Sequence, residues 1–222
     1  MSDPHEKPPE NPSGLVPKAV ISRLSLYLRE LQHLVRDGSA TTSSTHLGKL
    51  LGFSDAQVRK DLAYFGQFGY PGIGYRCEEL IGEIKRILGT NQPWPVALVG
   101  VGNLGRALLG YRGFGQQGFQ VVAAFDVDRS KVGQAIEGVP VFHLDDLTKI
   151  AREKGIKLGI VAVPAQFAQP VADRLVEAGI DGVLNFAPVT LVLPKQTSTV
   201  GVDLAIELEQ LAYAVANRLK QP

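Results

Sequence analysis

The stretch that decides the fold reads Val96-Ala97-Leu98-Val99-Gly100-Val101-Gly102-Asn103-Leu104-Gly105, with Asp126 following twenty-one residues after Gly105. Four apolar residues run into a GxGxxG turn, and an apolar-periodic segment leaves it. That context turns a common glycine pattern into the fingerprint of a dinucleotide-binding strand–helix–strand unit. Each position has its own chemistry. Gly100 permits the tight strand-to-helix turn. Gly102 lets a pyrophosphate approach the backbone with no Cβ between them, and Gly105 allows helix and strand to pack closely. The backbone N–H groups of the turn and helix start, over Val101, Asn103 and Leu104, point at an anion that the helix dipole also favours. Asp126 is placed to accept hydrogen bonds from ribose hydroxyls and to repel a 2′-phosphate, which favours NAD(H) over its 2′-phosphorylated form. Arg129 and Lys131 follow closely and weaken that preference.

Outward from this turn the pattern alternates. Residues 95–99, 121–125, 139–142, 158–163 and 182–186 are short apolar runs that read as strands. Residues 103–111, 145–154 and 166–178 carry helical spacing. This rhythm predicts an α/β fold with a Rossmann-type doubly wound parallel sheet over residues 91–202. There is room here for a nucleotide-binding core and none for a separate substrate domain. GxSxG, HExxH and Walker patterns are absent. His143, in the run FHLDDL, reads as an exposed helix-start residue better than as an acid/base. Binding without turnover is therefore expected, with no catalytic residue.

Residues 15–90 read differently. Val20, Leu24, Tyr27, Leu28, Leu31 and Leu34 recur at helical spacing after Pro17. Thr41-Thr42-Ser43-Ser44 offers N-caps for a short helix with Leu47, Leu50 and Leu51 that stops at Gly52. Ser54 caps the next helix, and Gln57 three residues later completes a capping-box pattern. The glycine- and aromatic-rich stretch GQFGYPGIGYR then suits a hairpin, and residues 78–88 form a further amphipathic helix. Helix, short helix, turn, capped helix and hairpin is the order of a winged helix-turn-helix. In the capped helix Gln57, Lys60 and Tyr64 share a face, with Arg59 beside them and Ser54 at its start. These side-chain types read adenine and guanine edges or hold phosphates. The hairpin, with Gly72 near its tip and Arg76 after it, is placed to reach a minor groove. A palindromic duplex site would require two such units, hence a homodimer.

Charge supports this division. The whole chain of 222 residues has a formal net charge of only +1, but residues 15–76 carry eight Lys/Arg against four Asp/Glu. Residues 77–222 carry fourteen against fifteen. The single cysteine, Cys77, excludes an internal disulfide and a cysteine-based zinc site. No apolar run reaches the ~18 residues of a membrane span. Residues 1–14, proline-rich and charged, read as a disordered tail and not as a signal peptide, so a cytoplasmic location is expected. Residues 203–222 hold one helix with a broad apolar stripe through Leu204, Ile206, Leu208, Leu211, Ala212, Val215 and Leu219. Periodicity alone leaves open whether it packs on its own sheet or on another subunit.

Several stretches together, ISRLSLYLREL, TSSTHLGKLLGFSDAQVRKDLAYFGQFGYPGIGY, VGVGNLGRALLGY, AFDVDRSKVG and GVLNFAPV, resemble the Rex family of bacterial redox-sensing transcriptional repressors. The resemblance covers essentially the whole chain from about Pro17. It implies a homodimer on operator DNA that NADH releases, with NAD⁺ competing for the same site. It also implies that the last helix is domain-swapped between subunits. It places the nicotinamide near Tyr111 and the start of that helix. Asp203 resembles the family's acidic switch residue, which alternates between a tyrosine (Tyr111) and an arginine of the first helix (Arg29). The chain departs from some members in carrying Leu204, not an aromatic residue, directly after Asp203. The competing reading is an NAD- or CoA-binding Rossmann enzyme or enzyme subunit. Asp126 and the amino-terminal winged helix count against it.

Overall fold

A computed structural model describes residues 16–219. The stretch read above as a disordered tail, residues 1–14, lies outside the described residues, as do residues 220–222. The chain divides into two compact units, with the boundary between Gln92 and Pro93.

The first unit holds α1 (Lys18–Arg36), β1 (Thr41–Thr42), α2 (Ser44–Leu51), α3 (Asp55–Ala63), β2 (Tyr75–Arg76) and α4 (Cys77–Ile87). Its core joins Leu24, Tyr27, Leu28 and Leu31 of α1 to Leu47, Val58, Leu62, Leu80 and Ile84, one apolar stripe from each helix. Ser43 is the residue that caps α2, its hydroxyl accepting from the His46 N–H. Thr41 and Thr42, read in the sequence as further capping candidates, instead form a strand antiparallel to Tyr75–Arg76. That pairing closes the wing, whose tip is a turn bridged between Tyr70 and Gly74. Cys77 is buried at the start of α4, and burial pushes its thiol up, as suits a small apolar core residue.

The second unit holds β3 (Trp94–Val99), α5 (Asn103–Leu109), α6 (Gly113–Gln116), β4 (Phe119–Asp126), β5 (Ala135–Ile136), β6 (Val139–His143), α7 (Leu147–Glu153), β7 (Leu158–Val161), α8 (Ala165–Glu177), β8 (Gly182–Asn185), β9 (Ser198–Gly201) and α9 (Leu204–Leu219). The strands lie in the order β5-β6-β4-β3-β7-β8-β9. All neighbours are parallel except β5 and β6, which pair as a hairpin. Leaving that hairpin strand aside, the six parallel strands follow the doubly wound order 3-2-1-4-5-6. Two apolar layers sandwich the sheet. One contains Phe125, Leu147, Val171 and Leu175; the other contains Leu98, Leu109, Val141 and Ile160. The chain reverses its winding between β3 and β7, so the glycine turn after β3 stands at the topological switch point, where such sheets bind ligands.

The terminal helix α9 differs from the rest. Leu204, Leu208, Leu211 and Tyr213 are all exposed, with Tyr213 73% accessible. Its apolar stripe is uncovered by the described residues of its own chain.

Candidate functional site

In the second unit the three glycines of the turn occupy three different environments. Gly100 has φ +98°, and a Cβ there would stand 2.5 Å from the Ala162 carbonyl oxygen, just past the end of the neighbouring strand β7. Gly105 is buried, and its Cβ would lie 1.9 Å from the Gly100 carbonyl oxygen. Around Gly102 there is nothing within 4 Å. Two glycines are thus demanded by packing, while the third opens the backbone to solvent where an anion would approach. Gly102, Asn103 and Leu104 are exposed at the start of α5, where the first-turn N–H groups have no helical acceptor. This arrangement fits a pyrophosphate.

Val101 does not offer its donor to that cradle. It is buried, and its N–H donates to Asp126 Oδ2 at 2.8 Å. Asp126 ends β4 with 8% of its surface accessible, and it is more occupied than the sequence suggests. Its Oδ2 also accepts from Lys131 Nζ at 3.0 Å, and Oδ1 accepts from the Asp128 N–H at 2.9 Å. Burial pushes this carboxyl up, but the donors from Asp128, Lys131 and Val101 outweigh it and hold it below the usual carboxylate range. The same group therefore braces the glycine turn from behind. Its pairing with Lys131 reduces the local negative charge that would repel a 2′-phosphate. Arg129 is exposed beside them.

Asp203 stands two residues past the end of β9, on the same carboxyl edge of the sheet. It borders an open hollow of about 420 Å³ lined by Asn185, Pro188, Val189, Gly201 and Ile206. Its Oδ1 accepts from the Ala205 N–H at 2.9 Å and so caps α9. Asn185, which the sequence reading did not single out, is buried and pins the loop after β8 by hydrogen bonds to Ala187 and Val189. Tyr111 lies past the far end of α5 from the glycine turn. It is 58% exposed and packs edge-on against Phe114, 5.1 Å between ring centres.

In the first unit α3 carries the predicted DNA-reading residues. Ser54 caps it, its Oγ accepting from the Gln57 N–H at 3.1 Å. The other half of the capping box is not made. The Gln57 carboxamide turns the opposite way and donates to Asp61 Oδ1 at 2.8 Å. Arg59 is exposed, bound to Asp55 at 2.7 Å and to the Ser44 hydroxyl at 3.2 Å. An exposed pair of this kind contributes little to stability, so a phosphate can take the guanidinium over at small cost. Lys60 is exposed, and no ion pair given by the described residues involves it. Tyr64 ends the helix half-buried beside Phe65. At the wing, Gly72 has open space around it, while Arg76 is bound to Glu79 and lies over the Tyr70 ring. Arg29 is exposed on α1.

A feature that the sequence reading passed over is Asp61. It is fully buried on the inner side of α3 and accepts four hydrogen bonds. Arg23 grips it with Nε at 2.5 Å and Nη2 at 2.7 Å, and Tyr27 Oη donates at 2.7 Å. Gln57 is the fourth donor. Burial raises this carboxyl, yet Arg23, Tyr27 and Gln57 together hold it below its ordinary value, while burial and the Asp61 bond push the Tyr27 phenol well up. A periodic pattern gives no sign of this, because Tyr27 and Arg23 sit 34 and 38 residues upstream. Among the described residues no group of three or more His, Cys, Asp or Glu side chains is placed to hold a metal, and no helix is long and apolar enough to cross a membrane.

Comparison with known proteins agrees with this division. Residues 15–63 match the family described as "Putative DNA-binding protein N-terminus", and residues 91–189 match "CoA binding domain". The redox-sensing transcriptional repressor Rex of Carboxydothermus hydrogenoformans is 48% identical over 200 residues, covering 90% of this chain and 96% of that protein. The protein of the same name from Streptomyces coelicolor is 45% identical over 205 residues, 92% of this chain and 80% of its own. Among solved structures, RSP in complex with β-NAD⁺ and operator DNA superposes with a TM-score of 0.86 at 34% identity, covering 92% of this chain and 94% of that one. RSP in complex with β-NADH gives 0.82 at 33% identity, with 92% and 96% covered. These relatives are named as repressors, not as enzymes.

Proposed function

Because this chain belongs to the Rex family of redox-sensing transcriptional repressors, we propose that it is a cytoplasmic homodimeric repressor that binds palindromic operator DNA and leaves it when NADH binds. The observation that carries this reading is the pairing, in one chain, of a winged helix-turn-helix with a glycine cradle at the switch point of a doubly wound sheet. Gly100, Gly102 and Gly105, with the N–H groups of Asn103 and Leu104, hold the pyrophosphate. Asp126 serves the adenosine ribose through the Oδ1 lone pair that Asp128 leaves, since Val101 and Lys131 hold Oδ2, while Val101 acts by shaping the turn. The cofactor supplies a nicotinamide whose charge differs between its oxidised and reduced forms; the protein supplies the groups that tell them apart.

Asp203, at the mouth of the hollow beside β8 and β9, is the group best placed to sense that charge. A free carboxylate favours the oxidised, cationic ring. The Tyr111 phenol and the Arg29 guanidinium are its alternative partners in the switch. On the DNA side, Ser54, Arg59, Lys60, Tyr64, Gly72 and Arg76 supply phosphate and groove contacts, and Gln57 reads a base edge. The uncovered apolar stripe of α9 is the surface by which two copies exchange helices. Regulation of about 100-fold requires NADH to favour the released state by roughly 2.7 kcal/mol over the bound one.

Residues 91–189 match a CoA-binding model, so the enzyme-subunit alternative has one observation behind it. Titration of the protein with NADH, followed by cofactor fluorescence, separates the two. The sensor reading expects saturable NADH binding that NAD⁺ displaces and CoA does not, with no NADH consumed in the presence of added acceptors. Displacement by CoA, or steady turnover, would contradict it.

A further inference from the structure

The buried Asp61 has a consequence for base reading that rests on the DNA-binding proposal above. A carboxylate accepts about four hydrogen bonds and donates none. Here Oδ2 takes Arg23 Nε and Tyr27 Oη, and Oδ1 takes Arg23 Nη2 and Gln57 Nε2, so the acceptor set is complete. Gln57 lies one helical turn before Asp61, half-buried at the border between the packed and outer sides of α3. Its carboxamide has two ends of similar shape and opposite polarity. Only the nitrogen end can face an ionised carboxylate; the oxygen end would be repelled there. Chemistry therefore fixes the amide orientation.

What remains outward is the Gln57 oxygen and its second N–H. That is the acceptor–donor pair that reads adenine, accepting from N6 and donating to N7 in the major groove. A carboxamide already held from behind also loses less rotamer freedom on binding than a freely moving one. We propose that Asp61 is a specificity-positioning residue: by gripping the Gln57 carboxamide from inside the domain, it presents a fixed acceptor–donor pair to DNA and sets an adenine preference at one base pair of each half-site. Arg23 and Tyr27 of α1 hold the carboxylate that does this, so the first helix contributes to base reading without touching a base.

The test is selection from a duplex DNA library with a randomised core, using the full chain. The wild type enriches an inverted repeat with adenine at one position per half-site, and Gln57→Leu flattens that position. Asp61→Asn weakens the preference at the same position by about fivefold or more, while the other positions keep their wild-type order. Leu31→Val, a core substitution in α1, lowers stability and leaves every preference unchanged. Equal weakening at all positions in Asp61→Asn, or intact preferences in Gln57→Leu, would overturn the proposal. If Asp61→Asn does not fold, the wild type still decides. Nuclear magnetic resonance of its Gln57 side-chain amide should show one proton protected from solvent exchange, and two rapidly exchanging protons would refute the grip. A wild type that enriches no sequence would instead remove the DNA-binding reading itself, whatever the amide shows.

Discussion

Tyr27→Phe isolates one hydroxyl in the most buried polar cluster of the DNA-binding unit. Tyr27 has no accessible surface, and its Oη stands 2.7 Å from a carboxylate oxygen that is equally buried. Phenylalanine keeps the ring and its edge-on contact with Phe53 at 6.1 Å between centres, so no cavity of consequence forms. The loss is the hydrogen bond to a charged acceptor, about 1.5–3 kcal/mol. For a protein of this size that corresponds to a drop in melting temperature of roughly 3–12 °C. The pH dependence has a definite sign. The folded Asp61 carboxyl is held below its unfolded value, so its stabilisation is complete above the unfolded carboxylate pKa of about 3.9 and is lost as pH falls through the folded one. Removing one donor moves the folded value upward, so the variant should begin acid unfolding at higher pH than the wild type. Urea unfolding followed by far-ultraviolet circular dichroism, at matched protein concentration and at several pH values, measures both effects. A stability change under about 0.5 kcal/mol with an unshifted acid limb would refute the reasoning, because an interaction this buried cannot be lost so cheaply.

Gly105→Ala, whose Cβ would collide with the Gly100 carbonyl oxygen, should cost about 1–3 kcal/mol by overpacking and weaken NADH binding, checked by thermal melts and fluorescence titration. A Cβ at Gly102 would meet no neighbour within 4 Å, so Gly102→Ala should keep the melting temperature near wild type yet reduce NADH affinity by about tenfold or more. Lys60→Gln should weaken operator binding evenly across sequences and lower the slope of log affinity against log salt by about one, measured by anisotropy at several salt concentrations. Asp203→Ala should still bind NADH but show blunted NADH-driven release. Asp203→Asn, which can keep the cap on the Ala205 N–H, should do the same without loosening α9.

The sheet was legible because its strands are buried on both faces and read as apolar runs, and because the glycine turn fixes where the first strand ends. Edge elements were not. Ser198–Gly201 is exposed along its length, so it has no buried apolar run to mark it as a strand; it becomes one by pairing with β8. Thr41 and Thr42 form a two-residue strand, too short for any period, and their partners Arg76 and Tyr75 lie far along the chain, beyond α3. In the site, the glycines could be assigned from the fingerprint alone, since each role follows from the absence of a Cβ. Asp126 could be placed but not its use: only the folded chain brings the Val101 N–H and Lys131 onto the same carboxylate. Gln57 shows the same limit. Three residues after Ser54 it looks like a capping partner, but a buried carboxylate one turn later competes for its amide and takes it.

On the proposed function the reduced cofactor, and not the oxidised one, takes this protein off its DNA. This is tested most directly by fluorescence anisotropy of a labelled operator duplex, selected as above, titrated with the protein at fixed salt in the presence of NADH or NAD⁺. NADH is expected to weaken DNA binding strongly, NAD⁺ alone to leave it intact, and added NAD⁺ to counteract NADH. Equal effects of the two cofactors, or none from either, would contradict it.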